Sequence, residues 1–86
     1  MLTEAEARER AAAMLEEAIS RLHAAGVLRF ELMAEADNPR GIAFYRKLGF
    51  VQEGLLRAAY KRSSDYGCID EVFLAKLLPP IDGTSD

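Results

Sequence analysis

One cysteine, one histidine and no tryptophan leave this sequence few ways to hold a metal or a covalent cross-link. Cys68 alone cannot close an internal disulfide. With His23 as the only imidazole, a zinc site of the usual His/Cys kind is excluded by counting, and no metal is expected. No apolar run approaches the length of about 18 residues that would span a bilayer. The first residues, M-L-T-E-A-E-A-R, are charged from Glu4 onward and have no signal-peptide core. Positive charge is also short: eleven basic residues against fourteen acidic ones give a net charge of −3, which argues against generic nucleic-acid binding. Repeats and low-complexity segments are absent. What remains is a single-domain α/β (α+β) chain of a reducing compartment. It is expected in the cytoplasm, with neither nucleic acid nor membrane as a partner. At 86 residues it has no room for a second core, and a chain of this size buries only about 60% of its unfolded surface.

Local signals divide the chain cleanly. Thr3-Glu4-Ala5-Glu6 has the spacing of a capping box, in which Thr3 accepts from the Glu6 backbone and the Glu6 side chain reaches back. Ala7, Ala11, Met14, Leu15, Ala18, Leu22 and Ala25 follow at a helical period, with acid-before-base pairs Glu4/Arg8, Glu6/Arg10 and Glu17/Arg21 on the other side. Gly26 stops a helix over 4–25. Residues 27–34, V-L-R-F-E-L-M-A, alternate as a strand does. Asn38 then serves as an N-cap and Pro39 as the first residue of a helix over 39–48, with Ile42, Phe44 or Tyr45, and Leu48 buried and Gly49 closing it. Residues 50–60 and 69–78 read as two strands joined through K-R-S-S-D-Y-G, an antiparallel pair. Pro79-Pro80 ends the last strand, so the domain is expected over 1–78 with 79–86 a disordered tail. The order is α-β-α-β-β.

Asn38 and Tyr45 are the most informative pair. Seven residues of helix turn through about 700°, so both side chains stand on nearly one face, roughly 10 Å apart along the axis. A helix N-terminus beside Asn38 offers N–H groups and partial positive charge. An amide and a phenol so placed can flank an extended ligand, the phenol donating a proton. The plainer reading makes Asn38 only a cap and Tyr45 only a half-buried aromatic. Asp70 and Glu71 can act as a base or bind an amine, but adjacent strand residues face opposite ways, so at most one faces a given site. Arg57 and Arg62 are read as solvated strand-end charges, His23 as a surface residue near a helix C-terminus, and Cys68 as a packed strand residue.

The block A-D-N-P-R-G-I-A-F-Y-R-K-L-G-F over 36–50 carries more than spacing. With G-V-L-R-F-E-L before it, and V-Q-E-G-L-L-R and G-C-I-D-E-V-F-L-A-K-L-L after it, residues 27–78 resemble the C-terminal half of the GCN5-related N-acetyltransferases. Within that family, E-G-x-x-R followed by G-x-x-D-E is most similar to the branch acting on ribosomal-protein N-termini, amino acids and antibiotics. The resemblance implies half of an acyl-CoA N-acyltransferase fold, with a three-stranded mixed sheet in the order first strand, third strand, second strand. It implies acetyl-CoA as cofactor, Tyr45 as the acid that reprotonates the CoA thiolate, and Asn38, Arg40 and Tyr45 as cofactor contacts.

The same resemblance implies parts that this sequence does not carry. A complete member has four earlier strands and an R/Q-x-x-G-x-G/A loop whose backbone N–H groups cradle the CoA pyrophosphate. Residues 6–11, at the corresponding place, read Glu6-Ala7-Arg8-Glu9-Arg10-Ala11, with acids where a basic residue and a glycine belong. A free strand edge over 27–34 would then need covering, and an alanine-rich helix over 4–25 lets another backbone approach. A homodimer through that edge and helix, or a separately encoded N-terminal half, is therefore expected. Two functions follow from the resemblance. One is an N-acetyltransferase acting on a primary amine once a second copy or partner chain completes it. The other is a non-catalytic oligomerisation or interaction module. The acyl acceptor is not legible, because in this family the early strands and loops set it.

Overall fold

The computed structural model describes residues 1–61 and 67–80. The expected turn through 62–66, with Arg62, and the tail residues 81–86 lie outside the described residues. Five elements follow in the expected order: α1 (Glu4–Ala24), β1 (Arg29–Glu35), α2 (Pro39–Lys47), β2 (Val51–Lys61) and β3 (Cys68–Leu77). They fall into two compact units, Met1–Leu28 with residues 78–80, and Arg29–Leu77.

In the first unit, α1 starts with the full capping box: Glu6 N–H donates to Thr3 Oγ1 at 3.0 Å and Thr3 N–H to Glu6 Oε1 at 2.9 Å. The helix ends where Gly26 N–H donates to the His23 carbonyl at 2.9 Å. Its covered stripe differs from the expected one. Ala12, Leu15, Ile19 and His23 are covered, whereas Ala7, Ala11, Met14, Ala18, Leu22 and Ala25 are exposed. Alanine lies on every side of this helix, so periodicity alone leaves the phase open. The branched Ile19, 6% exposed, sets it about 100° from the stripe drawn through Ala18. His23 is half-buried instead of solvated, its Nε2 lying 2.7 Å from the Pro79 carbonyl.

The second unit is a three-stranded sheet in the order β1-β3-β2, as expected. The mixed pairing expected for it is corrected: both ladders are antiparallel, because β3 lies between the like-directed β1 and β2 and opposes each. β1 and β3 pair residue for residue from Arg29↔Leu77 to Glu35↔Glu71. The β2 ladder is broken twice, once at Glu53 and once between Leu56 and Tyr60. At the second break Ala58 adopts φ 52°, with its N–H donating to Asp70 Oδ1 at 2.7 Å.

The core of this unit comprises Ala34, Leu48, Phe50, Val72, Leu74 and Ala75, with Leu74 fully inaccessible. Side chains alternate along a strand, so Val72, Leu74 and Lys76 share one face. Lys76 Nζ donates to the Leu48 carbonyl at the end of α2, which places that helix over the same face. The opposite face carries Arg29, Glu31, Met33, Ala75 and Leu77. There Arg29 reaches from β1 across β3, its Nε 2.7 Å from Glu31 Oε2 and its Nη2 2.6 Å from Glu53 Oε1. Ala75 occupies the intervening row opposite Glu31 and Val51, a side chain small enough to lie beneath this bridge.

Candidate active site

The site-bearing element is α2. Asn38 is its N-cap: Oδ1 accepts from Gly41 N–H at 3.1 Å, and the Asn38 carbonyl accepts from Ile42 N–H at 3.1 Å. Pro39 has no N–H to satisfy. Donors at the helix start are thus largely engaged by Asn38 itself. A Cβ at Gly41 would lie 2.6 Å from Asn38 Nδ2, so a larger residue there would displace the capping side chain. No acidic residue stands in the first turn itself, and Asp37 directly precedes the cap.

Tyr45 is half-buried two turns further on. Its ring meets Phe44 edge-on, with centroids 5.4 Å apart and planes at 74°, and Phe50 likewise at 5.9 Å and 69°. Its carbonyl accepts from Phe50 N–H at 3.0 Å, which ties the helix to the buried start of the next segment. Among the described residues the Tyr45 hydroxyl has no hydrogen-bond partner. The phenol is therefore fixed by its ring and left open at its oxygen.

Behind Tyr45 the helix stops at Gly49, φ +97°, a conformation glycine adopts without Cβ strain. A Cβ at Gly49 would also lie 2.9 Å from Lys76 Nζ. Lys76, missed by the sequence reading, acts as a side-chain cap on the α2 carbonyls and a cation at the negative end of the dipole. Its only sequence signal is a lysine within an otherwise apolar strand, L-A-K-L-L.

Of the expected site residues, Asn38 and Arg40 sit at the start of α2 and Tyr45 toward its end. Nearby, Ala36, Asp37, Cys68, Ile69 and Asp70 line an open hollow of about 300 Å³, to which Tyr45 contributes nothing. Asp70 faces this hollow, whereas Glu71 projects from the other face opposite Glu35 and Leu56, so only one of the two acids serves it. The Asp70 carboxylate is engaged with Ala58 N–H. Cys68, expected to be packed, is exposed at the mouth, because it is the first residue of β3 and lies beyond the covered rows. Arg57 is exposed, as expected. Residues 6–11 lie within α1, and Glu6 N–H is already bonded to Thr3, so this segment offers no open backbone cradle. No metal-binding group of three or more His, Cys, Asp or Glu occurs among the described residues, and no helix there is long and apolar enough to cross a membrane.

The split β-α-β unit with a third strand inserted between its parallel members is shared with acetyl-transferring enzymes. This chain resembles the C-terminal half of the GCN5-related N-acetyltransferases. The ribosomal-protein-S18-alanine N-acetyltransferase of Escherichia coli is 32% identical with a TM-score of 0.68, covering 77% of this chain and 41% of that one. A GNAT-family acetyltransferase of Streptococcus pneumoniae is 30% identical with a TM-score of 0.70, covering 79% and 40%. A spermidine N-acetyltransferase chimera of Vibrio cholerae and human origin, 20% identical with a TM-score of 0.72, covers 78% and 41% and speaks for the fold alone. This chain thus spans about two fifths of the length of these enzymes. No family model and no curated protein matches it.

Proposed function

We infer that this chain carries the thiol-side half of an acetyl-CoA site. Acetyl transfer to a primary amine then takes place in an assembly where a second copy or a partner chain supplies the rest. The observation that carries this reading is Tyr45: a phenol held by two aromatic edges, open at its oxygen, in a fold shared with N-acetyltransferases. Bound acetyl-CoA would supply an acetyl thioester. Tyr45 holds a proton at Oη and donates it at the thiol end of the site. Asn38 keeps its carboxamide Nδ2 for the ligand, because Oδ1 is committed to Gly41 N–H. Arg40 places a guanidinium at the same end of α2.

The similar Escherichia coli enzyme is a ribosomal-protein-S18-alanine N-acetyltransferase, and an amine acceptor is proposed here by that likeness. Calorimetric titration with acetyl-CoA and with S-acetylpantetheine tests the reading. Because the proposed contacts lie on the thiol side, the two ligands are expected to bind with similar affinity. Absence of heat for both at millimolar concentration would exclude this half-site. A second reading, a non-catalytic interaction module, draws on α1, whose start is occupied by its own capping box and by Glu4, Glu6 and Glu9. It predicts no binding of either ligand.

A further inference from the structure

The two edges of the sheet differ in kind. β2 carries two ladder breaks and a left-handed Ala58, devices that blunt an edge against pairing. β1, R-F-E-L-M-A-E, pairs without interruption over its whole length and contains no proline, glycine or lysine. Its outward groups can be assigned. Ala36 N–H donates to the Asp70 carbonyl and Leu78 N–H to the Leu28 carbonyl, so even-numbered residues of this segment bond to β3. Arg29, Glu31, Met33 and Glu35 therefore direct their N–H and C=O groups away from β3.

We propose that β1 pairs antiparallel with β1 of a second copy about a two-fold axis at Leu32, placing Arg29 opposite Glu35 of the other copy at both ends. The register follows from charge. An antiparallel match must set outward residues opposite outward residues, which allows shifts of two only. With Leu32 opposite Leu32, the pairs are Arg29 with Glu35, Phe30 with Ala34, and Glu31 with Met33. All seven strand residues are matched, no like charges stand opposite one another, and a large ring meets a small methyl on the α2 face. Centring on Glu31 sets that acid opposite itself. Centring on Met33 sets Glu31 opposite Glu35. Like charges directly opposite destabilise a ladder, so both shifted registers are disfavoured. The product is a continuous six-stranded sheet, β2-β3-β1-β1-β3-β2, in which neither β1 edge is exposed. This pairing does not depend on acetyl-CoA binding.

Sedimentation velocity of the full chain without ligand, from micromolar to near-millimolar concentration, is expected to show twice the chain mass. Met33→Pro removes an outward N–H and no bond to β3, so it is expected to give a folded monomer. In a Cys68→Ser background, single cysteines at positions 31, 32 and 33 read the register without relying on that variant. Only Leu32→Cys is expected to form an intermolecular disulfide on mild oxidation. A chain monomeric throughout overturns the second-copy pairing and leaves the edge to a strand of another polypeptide. A dimer that survives Met33→Pro overturns use of this edge. Cross-linking through Glu31→Cys or Met33→Cys, with none through Leu32→Cys, overturns the register.

Discussion

The Glu53 carboxylate lies 2.6 Å from Arg29 Nη2 although the two residues stand on opposite edges of the sheet, with β3 between them. Val51 pairs with Ala75 on the Arg29 face, so strand alternation places the Glu53 side chain two residues on upon the same face. Hydrogen bonding to Arg29 lowers the Glu53 carboxyl below its ordinary value, and the same contact raises the Arg29 guanidinium. A carboxyl depressed in the folded state contributes stability that is fully present above its unfolded value and is lost as pH falls through the folded one. The acid side of a thermal-melting profile, from below pH 5 downward, is therefore expected to steepen because of this pair. Glu53→Gln should flatten that limb and leave the profile near neutrality little tilted. Because both groups are substantially exposed, added salt should shrink the difference.

Asp70 and Ala58 set up a second test. A left-handed alanine costs about 1–2 kcal/mol, and a glycine there costs about 0.5–1 kcal/mol in unfolded-state entropy. Relief wins, so Ala58→Gly is expected to stabilise the chain by roughly 0.5–1 kcal/mol in urea unfolding. Asp70→Ala removes the acceptor for Ala58 N–H and is expected to cost about 1 kcal/mol. The two changes should not be additive, because the glycine variant no longer needs the carboxylate to hold the turn.

Gly41 and Asn38 are coupled through space. Gly41→Ala adds helix propensity worth at most about 1 kcal/mol, but its methyl displaces the Asn38 side chain from the cap, a loss of about 1 kcal/mol. Near-zero net change is expected on the natural background. In an Asn38→Ala background, where no cap remains to lose, the same substitution should stabilise by close to the full propensity difference. A double-mutant cycle by thermal or urea unfolding measures the coupling.

Tyr45→Phe keeps the ring and both edge contacts and deletes only the oxygen. Stability is expected to change by less than about 0.5 kcal/mol, since Oη has no partner among the described residues. If the chain transfers acetyl groups in its assembled form, the substitution should lower the turnover number by on the order of 10²-fold and leave ligand affinity nearly unchanged. A drop in affinity with unchanged turnover would instead assign the hydroxyl to binding.

Local signals in the sequence were enough for the elements and for the family likeness. The capping box at Thr3 and Glu6, Asn38 before Pro39, and the glycine after each helix are short-range features. Each was found within a residue or two of its expected place. The block from Asp37 to Phe50 is likewise contiguous, so the Asn38–Tyr45 relation could be read from helical geometry. The phase of α1 was not legible, because alanine on all sides supplies no contrast until Ile19 is seen buried.

Tertiary structure alone decided the contacts that cross the chain. Arg29 meets Glu53 over 24 residues, Lys76 caps the helix ending near Leu48 over 28, and His23 reaches Pro79 over 56. Two of the last strand's charged residues act on other elements in the same way: Asp70 holds a turn in β2, and Lys76 closes α2. No periodicity encodes such pairings, since they depend on where a bulge falls and which strand lies between two others. The sequence by itself determined which segments coil and which extend, because capping and alternation act between near neighbours. Folding into the order β1-β3-β2 decided which charges meet and which edge remains regular, because only packing brings residues so distant along the chain within hydrogen-bonding reach.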